Sequence, residues 1–293
     1  MTSDVLAHVD AVFGDDVEAW HEALTSRLPA IVDQWELQLG EAMVGGWNSV
    51  VLACHGPRGA AVLKLTLRPE AVHLEGQALE HWGPGAAAEV RGVDATRGAL
   101  LLERLVPGTS LDPRSCAIDS VARALVRLYR AGPAQPGLPT LAGRYADADE
   151  RLLRMWRRSR NGIERDTAER AARELRALSA APVDGGAVLL HGDPVPANFL
   201  LGAHGHRAID PRPMVGDPAY DAAFWALFAE EGSDVLPKAD QLAAALGLDR
   251  VLVVRWAAAM AVDRLLQVAG SPPHAALAER LARFIRSQTA GTA

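Results

Sequence analysis

Apolar residues first recur with helical spacing and then alternate with polar residues, so the pattern predicts a helix followed by a sheet. Helical spacing holds over residues 4–28, and Pro29 breaks it. Three later runs, Trp35–Leu39, Val50–Cys54 and Ala61–Leu67, have the alternating or continuous apolar pattern of strands, and clusters of turn residues separate them. We therefore predict a three-stranded antiparallel meander.

A helix and two more strands complete the first part of the chain. Pro69 opens a predicted helix that runs to Trp82, because proline is tolerated in a first helical turn. Val90–Val93 and Ala99–Leu105 have the composition of strands around a polar turn. The sequence thus predicts an antiparallel sheet lobe over residues 1–105, which also holds the N-terminal helix and the helix that starts at Pro69.

Helical periodicity dominates the rest of the chain. The predicted helices cover residues 117–131, 144–160, 164–180, 218–230, 238–246, 250–268 and 274–288. Two short apolar runs, Val188–His191 and Arg207–Asp210, interrupt them and end in polar residues. We therefore predict an α+β protein with a small sheet lobe and, over residues 106–293, a larger helical lobe. Ligands favour the cleft between such lobes.

Composition and charge exclude several classes of protein. The 293 residues are 49% hydrophobic and 23% charged, which excludes wholesale disorder. The net charge of −6 argues against a nucleic-acid-binding protein and favours a cationic small molecule as partner. Two cysteines, Cys54 and Cys116, cannot build a disulfide framework. No signal peptide is visible and the apolar stretch Val251–Val262 contains Arg255, so we expect a cytoplasmic protein without a membrane span, and a monomer.

The strongest chemical signal is a histidine–aspartate motif with an asparagine and a second aspartate at fixed distances. His191 is followed by Asp193 and Asn198, and Asp210 comes 17 positions after the first aspartate. Phosphoryl transfer from ATP needs a carboxylate that accepts the hydroxyl proton and oxygen ligands for Mg²⁺. Asp193 fits the base, and Asn198 and Asp210 fit the metal ligands.

A lone lysine in an apolar strand is the second signal. Lys64 lies in the run Ala61–Leu65, where an ammonium group without a partner would be costly to bury. In a kinase such a lysine contacts the nucleotide phosphates and pairs with a glutamate of the next helix. We predict that Glu75 is this partner, with Glu80 as the alternative.

Two further segments have the character of nucleotide contacts. The turn cluster Gly45–Ser49 lies between two strands, where backbone N–H groups and the Ser49 hydroxyl can reach phosphate oxygens. At the end of the last strand of the sheet lobe, the backbone around Glu103 and Leu105 is placed to hydrogen-bond the adenine edge.

Taken in order, these segments resemble the aminoglycoside phosphotransferase family, which has the protein-kinase-like fold, and within it the streptomycin 6-phosphotransferase and hydroxyurea phosphotransferase branch. The resemblance covers roughly residues 35–225. It rests on Trp35-Glu36-Leu37, Asn48–Leu52, Ala61–Leu65, Gly98–Leu105, His191-Gly192-Asp193 and Ala208–Asp221.

The resemblance implies an ATP- and Mg²⁺-dependent O-phosphotransferase that confers antibiotic resistance. It gives Asp193 the role of base, makes Asn198 and Asp210 the magnesium ligands, and makes Asp221 a structural residue that bonds back to the catalytic loop. One departure from the family is Pro194-Val195-Pro196, which stands where relatives usually carry Leu-His or a similar pair. This departure affects the expected loop conformation and the identity of the substrate.

The substrate that the family implies is a hydroxyl compound with positive charge, such as a streptomycin-like aminoglycoside. Acidic and aromatic residues of the helical lobe are the candidate contacts: Asp263, Glu230, Glu231 and Trp225. Two alternatives stay open. One is a metabolic kinase for a sugar, a choline-like amine or a nucleoside, and the other is a kinase-like protein that binds a ligand without turnover.

Overall fold

The computed structural model describes residues 17–43, 49–112, 118–134, 136–159, 163–228, 234–268 and 274–290. The chain divides into two compact units. The first extends to Thr109 and also takes in Leu200–Ile209, and the second holds Ser110–Phe199 and everything from Asp210 onward. The predicted boundary at residue 105 lies close to the observed one at Thr109. The prediction did not include the ten residues Leu200–Ile209, which belong to the first unit.

A five-stranded antiparallel sheet forms the first unit, with strand order β1-β2-β3-β5-β4. Its elements are α1 (Val17–Trp35), β1 (Gln38–Met43), β2 (Ser49–Gly56), β3 (Gly59–Thr66), α2 (Pro69–Trp82), β4 (Val90–Asp94) and β5 (Ala99–Glu103). Alternate residues of β2 and β3, such as Leu52 and Leu63, point into a core that also contains apolar residues of α1. The alternating pattern in the sequence is therefore the pattern of one buried sheet face.

Helix α1 differs from the prediction, because it continues through Pro29 to Trp35 and displaces the first strand to Gln38–Met43. Proline inside a helix costs about 3 kcal/mol. The residues on both sides of it, Leu28 and Ile31, are fully buried, and each such side chain contributes about 1.5–3 kcal/mol. Burial of this helix face outweighs the hydrogen bond that Pro29 removes.

The second unit is mostly helical. Its elements are α3 (Ile118–Tyr129), α4 (Leu141–Tyr145), α5 (Ala148–Arg158), α6 (Arg165–Ala180), β6 (Val188–Leu190), β9 (Met214–Gly216), α7 (Ala219–Phe228), α8 (Val235–Leu246), α9 (Arg250–Val268) and α10 (Ala275–Ala290). Strands β7 (Phe199–Gly202) and β8 (Gly205–Ala208) form the hairpin that returns to the first unit.

Helix α9 lies at the centre of this unit. Trp256 is fully buried and makes ring contacts with Tyr145 of α4 and Tyr220 of α7. Aromatic contacts of this kind contribute beyond the area that they bury. The core therefore holds α4, α7 and α9 together, and these three helices line the site described below. No helix among the described residues is both long enough and apolar enough to cross a membrane.

Candidate active site

The segment His191–Asp193 is held by a carboxylate at the start of α7. The backbone N–H groups of His191 and Gly192 donate hydrogen bonds to the two oxygens of Asp221, at 2.8 and 2.9 Å. The Tyr129 hydroxyl donates to the same carboxylate at 3.2 Å. Asp221 thus bonds back to the loop, as the resemblance implied, whereas Tyr129 gave no signal in the sequence.

Gly192 is required by a close backbone approach. Its φ is +75°, and an added Cβ would lie 1.9 Å from the carbonyl oxygen of Arg212. The backbone N–H of Arg212 in turn donates to the His191 carbonyl oxygen at 2.8 Å. Only glycine fits here without strain, so the segment that carries Asp193 lies directly against the segment that follows Asp210.

Asp193 and Asn198 are joined through a short proline-containing turn. The Asn198 side-chain amide donates a hydrogen bond to the backbone oxygen of Asp193 at 2.9 Å. The backbone N–H of Asn198 donates to the carbonyl oxygen of Val195, also at 2.9 Å. Pro196 starts the 3₁₀ turn Pro196–Asn198, where its fixed φ suits a first turn. Pro196 therefore shapes the turn that positions Asn198.

The Asp193 carboxylate lies in a mixed electrostatic environment. Burial raises its pKa, the Arg212 guanidinium at 3.3 Å lowers it, and the negative charge of Asp210 raises it again, with a net upward shift. Asp210 itself has φ +52°, in the left-handed region that residues other than glycine rarely adopt. The two acids predicted from the motif are thus close enough for their charges to interact.

Asp221 is more strongly perturbed than Asp193. Complete burial raises its pKa, the bonds from Gly192, His191 and Tyr129 oppose this, and the result is a value of about 6. This buried carboxylate accepts hydrogen bonds from two buried backbone N–H groups, which would otherwise lack an acceptor.

In the first unit, Lys64 and Glu75 form a close ion pair. Lys64 lies in β3 between Val51 of β2 and Leu100 of β5, and its Nζ is 2.6 Å from Glu75 Oε2. Both side chains are nearly buried, at 12% and 6% exposure. Glu80, the alternative partner, is exposed on the other face of α2. The structure therefore pairs Lys64 with the glutamate that the sequence favoured.

The other residues predicted to contact the nucleotide differ in their burial and in their hydrogen bonds. Ser49 is buried at the start of β2, opposite Thr66, while Gly45–Asn48 lie outside the described residues. Leu105 is buried just beyond β5. The Glu103 carboxylate accepts hydrogen bonds from Arg207 of β8 and, at 2.8 Å, from the backbone N–H of Glu89.

A cavity of about 330 Å³ opens beside Asp193 within the second unit. Aromatic and aliphatic side chains make up much of its wall, and its charged groups are four arginines and two aspartates. The lining residues are Arg144, Tyr145, Asp193, Val195, Arg212, Tyr220, Phe224, Phe228, Met260, Asp263, Arg264, Gln267, Leu277 and Arg280.

The predicted substrate contacts have three different outcomes. Asp263 lines the cavity, but Arg151 donates to both of its oxygens, at 2.7 and 3.1 Å, and Gln267 donates at 2.9 Å. The prediction for Trp225 is wrong, because the side chain is 2% exposed and packs edge-on against Phe199 in the core. Glu230 and Glu231 lie outside the described residues.

The arginines of the cavity were not among the predicted site residues. Arg144, Arg212, Arg264 and Arg280 come from four separate segments of the chain. Arg212 directly follows the Asp210-Pro211 pair, which is the one local signal that places it near the motif. The other three are brought to the cavity by the packing of helices α4, α9 and α10.

Comparisons with known proteins agree with this geometry. Residues 34–268 match the family described as aminoglycoside/hydroxyurea antibiotic resistance kinase. The chain is 30% identical over 266 residues to the hydroxyurea phosphotransferase of Kitasatospora aureofaciens, covering 84% of this chain and 73% of that protein. It is 29% identical over 285 residues to the streptomycin 6-kinase of Streptomyces glaucescens, covering 87% and 85%.

A solved structure shows the same fold. The GDP complex of wild-type aminoglycoside 2'-phosphotransferase-IIIa superposes with a TM-score of 0.60 at 16% identity, covering 92% of this chain and 100% of that one. The protein-kinase-like α+β fold predicted from the sequence is therefore confirmed. With the match over residues 34–268, the chain belongs to the aminoglycoside/hydroxyurea antibiotic resistance kinase family.

Proposed function

We propose that this protein is an ATP- and Mg²⁺-dependent O-phosphotransferase that phosphorylates a hydroxyl group of a small-molecule antibiotic and so inactivates it. The observation that carries this proposal is the position of Asp193. Its carboxylate lines a cavity wide enough for a small molecule, and its backbone oxygen is tied to Asn198. Asp193 is thus held where a hydroxyl group in the cavity can reach it.

Asp193 is the proposed base. As the hydroxyl oxygen attacks the γ-phosphorus, its O–H bond breaks and the proton passes to the Asp193 carboxylate, while the bond from phosphorus to the ADP oxygen breaks. Burial raises the pKa of the Asp193 carboxyl group above its ordinary value, which makes the carboxylate a better proton acceptor.

Asn198 and Asp210 are the proposed ligands of Mg²⁺. The Asn198 amide nitrogen is used in the bond to Asp193, so its oxygen is the atom left to bind a cation. The described residues contain no group of three or more His, Cys, Asp or Glu side chains that could hold a metal. Mg²⁺ typically takes one or two protein ligands and binds the substrate phosphates as well. When bound, the ion would neutralise charge on the phosphates.

Lys64 is the proposed phosphate contact. Glu75 is almost fully buried and holds the Lys64 ammonium group at 2.6 Å, which fixes the direction of a long and flexible side chain. In this family of folds such a lysine binds nucleotide phosphates. The backbone of Glu103 and Leu105 is proposed to bind the base, with the Glu103 side chain engaged by Arg207.

Phosphate transfer to a panel of antibiotics tests the function. The purified protein is incubated with MgATP and with streptomycin, hydroxyurea or other aminoglycosides, and products are analysed by mass spectrometry. We expect a phosphate adduct on at least one antibiotic, ADP release that depends on it, and resistance in a sensitive bacterium that expresses the chain. Failure of every antibiotic, with turnover of a sugar, a choline-like amine or a nucleoside instead, would replace this proposal with a metabolic kinase.

A further inference from the structure

A buried ion pair lies where the proposed base-binding segment begins. Arg207 of β8 donates to the carboxylate of Glu103, the last residue of β5, and the two side chains are only 9% and 16% exposed. Both residues belong to the first unit. Because the pair is buried, loss of either member would leave an uncompensated charge inside the protein.

The Glu103 carboxylate is also bonded to the main chain. The backbone N–H of Glu89 donates to Glu103 Oε1 at 2.8 Å, and the backbone N–H of Glu103 donates to the Glu89 carbonyl oxygen at 2.9 Å. Arg207 donates to the same Oε1 atom. These bonds fix the side chain and the main chain of Glu103 together, and Arg207 is the group that neutralises the charge at their centre.

The hairpin that carries Arg207 lies along the segment that follows Glu103. The backbone N–H of Gly108 donates to the carbonyl oxygen of Leu201 in β7 at 2.9 Å. A Cβ added at Gly202 would lie 3.2 Å from Arg207 Nη2 and 3.2 Å from Leu105 Cδ2, so the backbone of β7 packs against both side chains. The guanidinium of Arg207 is therefore held between the hairpin and the segment that is proposed to bind the base.

We propose that Arg207 is a positioning residue for the nucleotide base, because it fixes, through Glu103, the main chain of residues 103–105. The inference rests on the proposed function in one respect, that this segment binds the base. Hydrogen bonds from a backbone to a base need a defined main-chain direction, and a segment that is ordered before binding loses less entropy when the ligand arrives. Arg207 acts through Glu103 and needs no contact with the nucleotide.

A comparison of ATP with inorganic tripolyphosphate isolates this effect, because tripolyphosphate has the phosphates and lacks the base. Affinities are measured by calorimetry with Mg²⁺ at constant ionic strength, directly for ATP and by displacement of ATP for tripolyphosphate. We expect Arg207→Gln to weaken ATP binding by about tenfold or more and tripolyphosphate binding by less than about twofold. A smaller effect on ATP, or an equal loss for both probes, would overturn the inference.

A double-mutant cycle tests whether Arg207 acts through Glu103. Glu103→Gln keeps an acceptor for the Glu89 N–H and removes the charge, and it should reproduce the loss that is specific to ATP. The double variant Arg207→Gln with Glu103→Gln should show no further loss of ATP affinity, because both changes remove the same interaction. It also leaves no buried charge without a partner, which favours folding if a single variant is unstable. Additive losses of ATP affinity would refute the action through Glu103.

Arg97→Gln is the matched control. Arg97 pairs with the buried Asp94 at 2.5 Å in the same sheet, so this variant also deprives a buried acid of its cation. We expect its affinities for ATP and for tripolyphosphate to equal those of the wild type, and urea denaturation verifies that each variant is folded. If Arg97→Gln weakened ATP binding as much as Arg207→Gln, general destabilisation would explain both, and the inference would fail.

These measurements need no acceptor and no phosphate transfer, so the inference and the proposed function can fail separately. If ATP affinity depends on Arg207 as expected but the wild-type protein phosphorylates no antibiotic, the proposed function fails alone. If transfer occurs and Arg207→Gln keeps the wild-type affinity for ATP, the inference fails alone.

Discussion

Lys64 and Glu75 form an ion pair of 2.6 Å between a central strand and the following helix, with both side chains nearly removed from water. Burial makes this pair sensitive to the loss of either member, because an uncompensated charge is then left inside the protein. It also means that the charges are far less screened by salt than a surface pair would be.

Lys64→Met should reduce both stability and nucleotide use. We expect a loss of about 3–5 kcal/mol in the free energy of unfolding, since Glu75 stays buried without its cation, and a large rise in the KM for MgATP. The double variant Lys64→Met with Glu75→Leu should regain most of the stability and none of the activity. Urea denaturation and ADP-release assays measure the two effects.

Glu80→Gln is the control for this pair. Glu80 belongs to the same helix but is exposed, so we expect a change below about 0.5 kcal/mol and an unchanged KM for MgATP. If Lys64→Met and Glu80→Gln were equally harmless, Lys64 would be an ordinary strand residue and its proposed phosphate contact would be wrong.

Gly192→Ala should damage the loop that carries Asp193. The new Cβ would collide with the Arg212 carbonyl oxygen at 1.9 Å, in addition to the strain of a positive φ. We expect a loss of about 3 kcal/mol or more and almost complete loss of transfer. Gly185→Ala is the matched control, because Gly185 also has a positive φ, +81°, but its Cβ would meet open space. That variant should lose about 1 kcal/mol and keep its activity.

Asp221 should make stability rise as the pH falls below neutrality. Its pKa is about 6 in the folded protein and 3.8 is the ordinary value, so between these values the folded state binds the additional proton. Stability then increases as the pH falls through the folded pKa. From pH 7.5 to pH 5 the gain is about 1.4 kcal/mol from this group alone.

A comparison with Asp221→Asn isolates that contribution. The wild type should gain about 1.4 kcal/mol relative to the variant between pH 7.5 and pH 5, measured by urea denaturation at the two pH values. A constant difference across this range would show that Asp221 has an unperturbed pKa, and that burial is not the dominant influence on it.

Arg212→Gln should shift the acidic limb of the pH profile of kcat/KM. Arg212 lowers the pKa of Asp193, so its removal should raise that pKa and move the limb of kcat/KM to higher pH. The Arg212 side chain is 68% exposed, so solvent screening keeps the shift small. A limb at the same pH in both proteins would mean that Asp193 is not the group that titrates.

Sequence reasoning identified the residues whose type is unusual for their surroundings. Lys64 is a charged residue in an apolar strand, and Asp193, Asn198 and Asp210 keep a spacing that few other functions require. Such local features carry their own physical signal. The sheet and the helical lobe were predicted from another local feature, the spacing of apolar residues along the chain.

Features created by packing between distant residues were not predicted. Arg207 meets Glu103 across 104 positions of sequence, and Tyr129 meets Asp221 across 92. Helix α1 continues through Pro29 because its far half is buried, which periodicity does not report. The arginines of the cavity and the burial of Trp225 likewise depend on how the helices pack.

The role of Asp193 as base is the central claim, and a single-turnover assay of Asp193→Asn tests it most directly. The variant, the wild type and the surface control Asp166→Asn are each mixed with MgATP and an antibiotic that the wild-type protein phosphorylates. Formation of the phosphate adduct is followed by mass spectrometry. We predict that Asp193→Asn binds MgATP with wild-type affinity and transfers phosphate at least 1,000-fold more slowly, on the order expected for removal of a general base. Transfer within about tenfold of the wild-type rate would contradict the account.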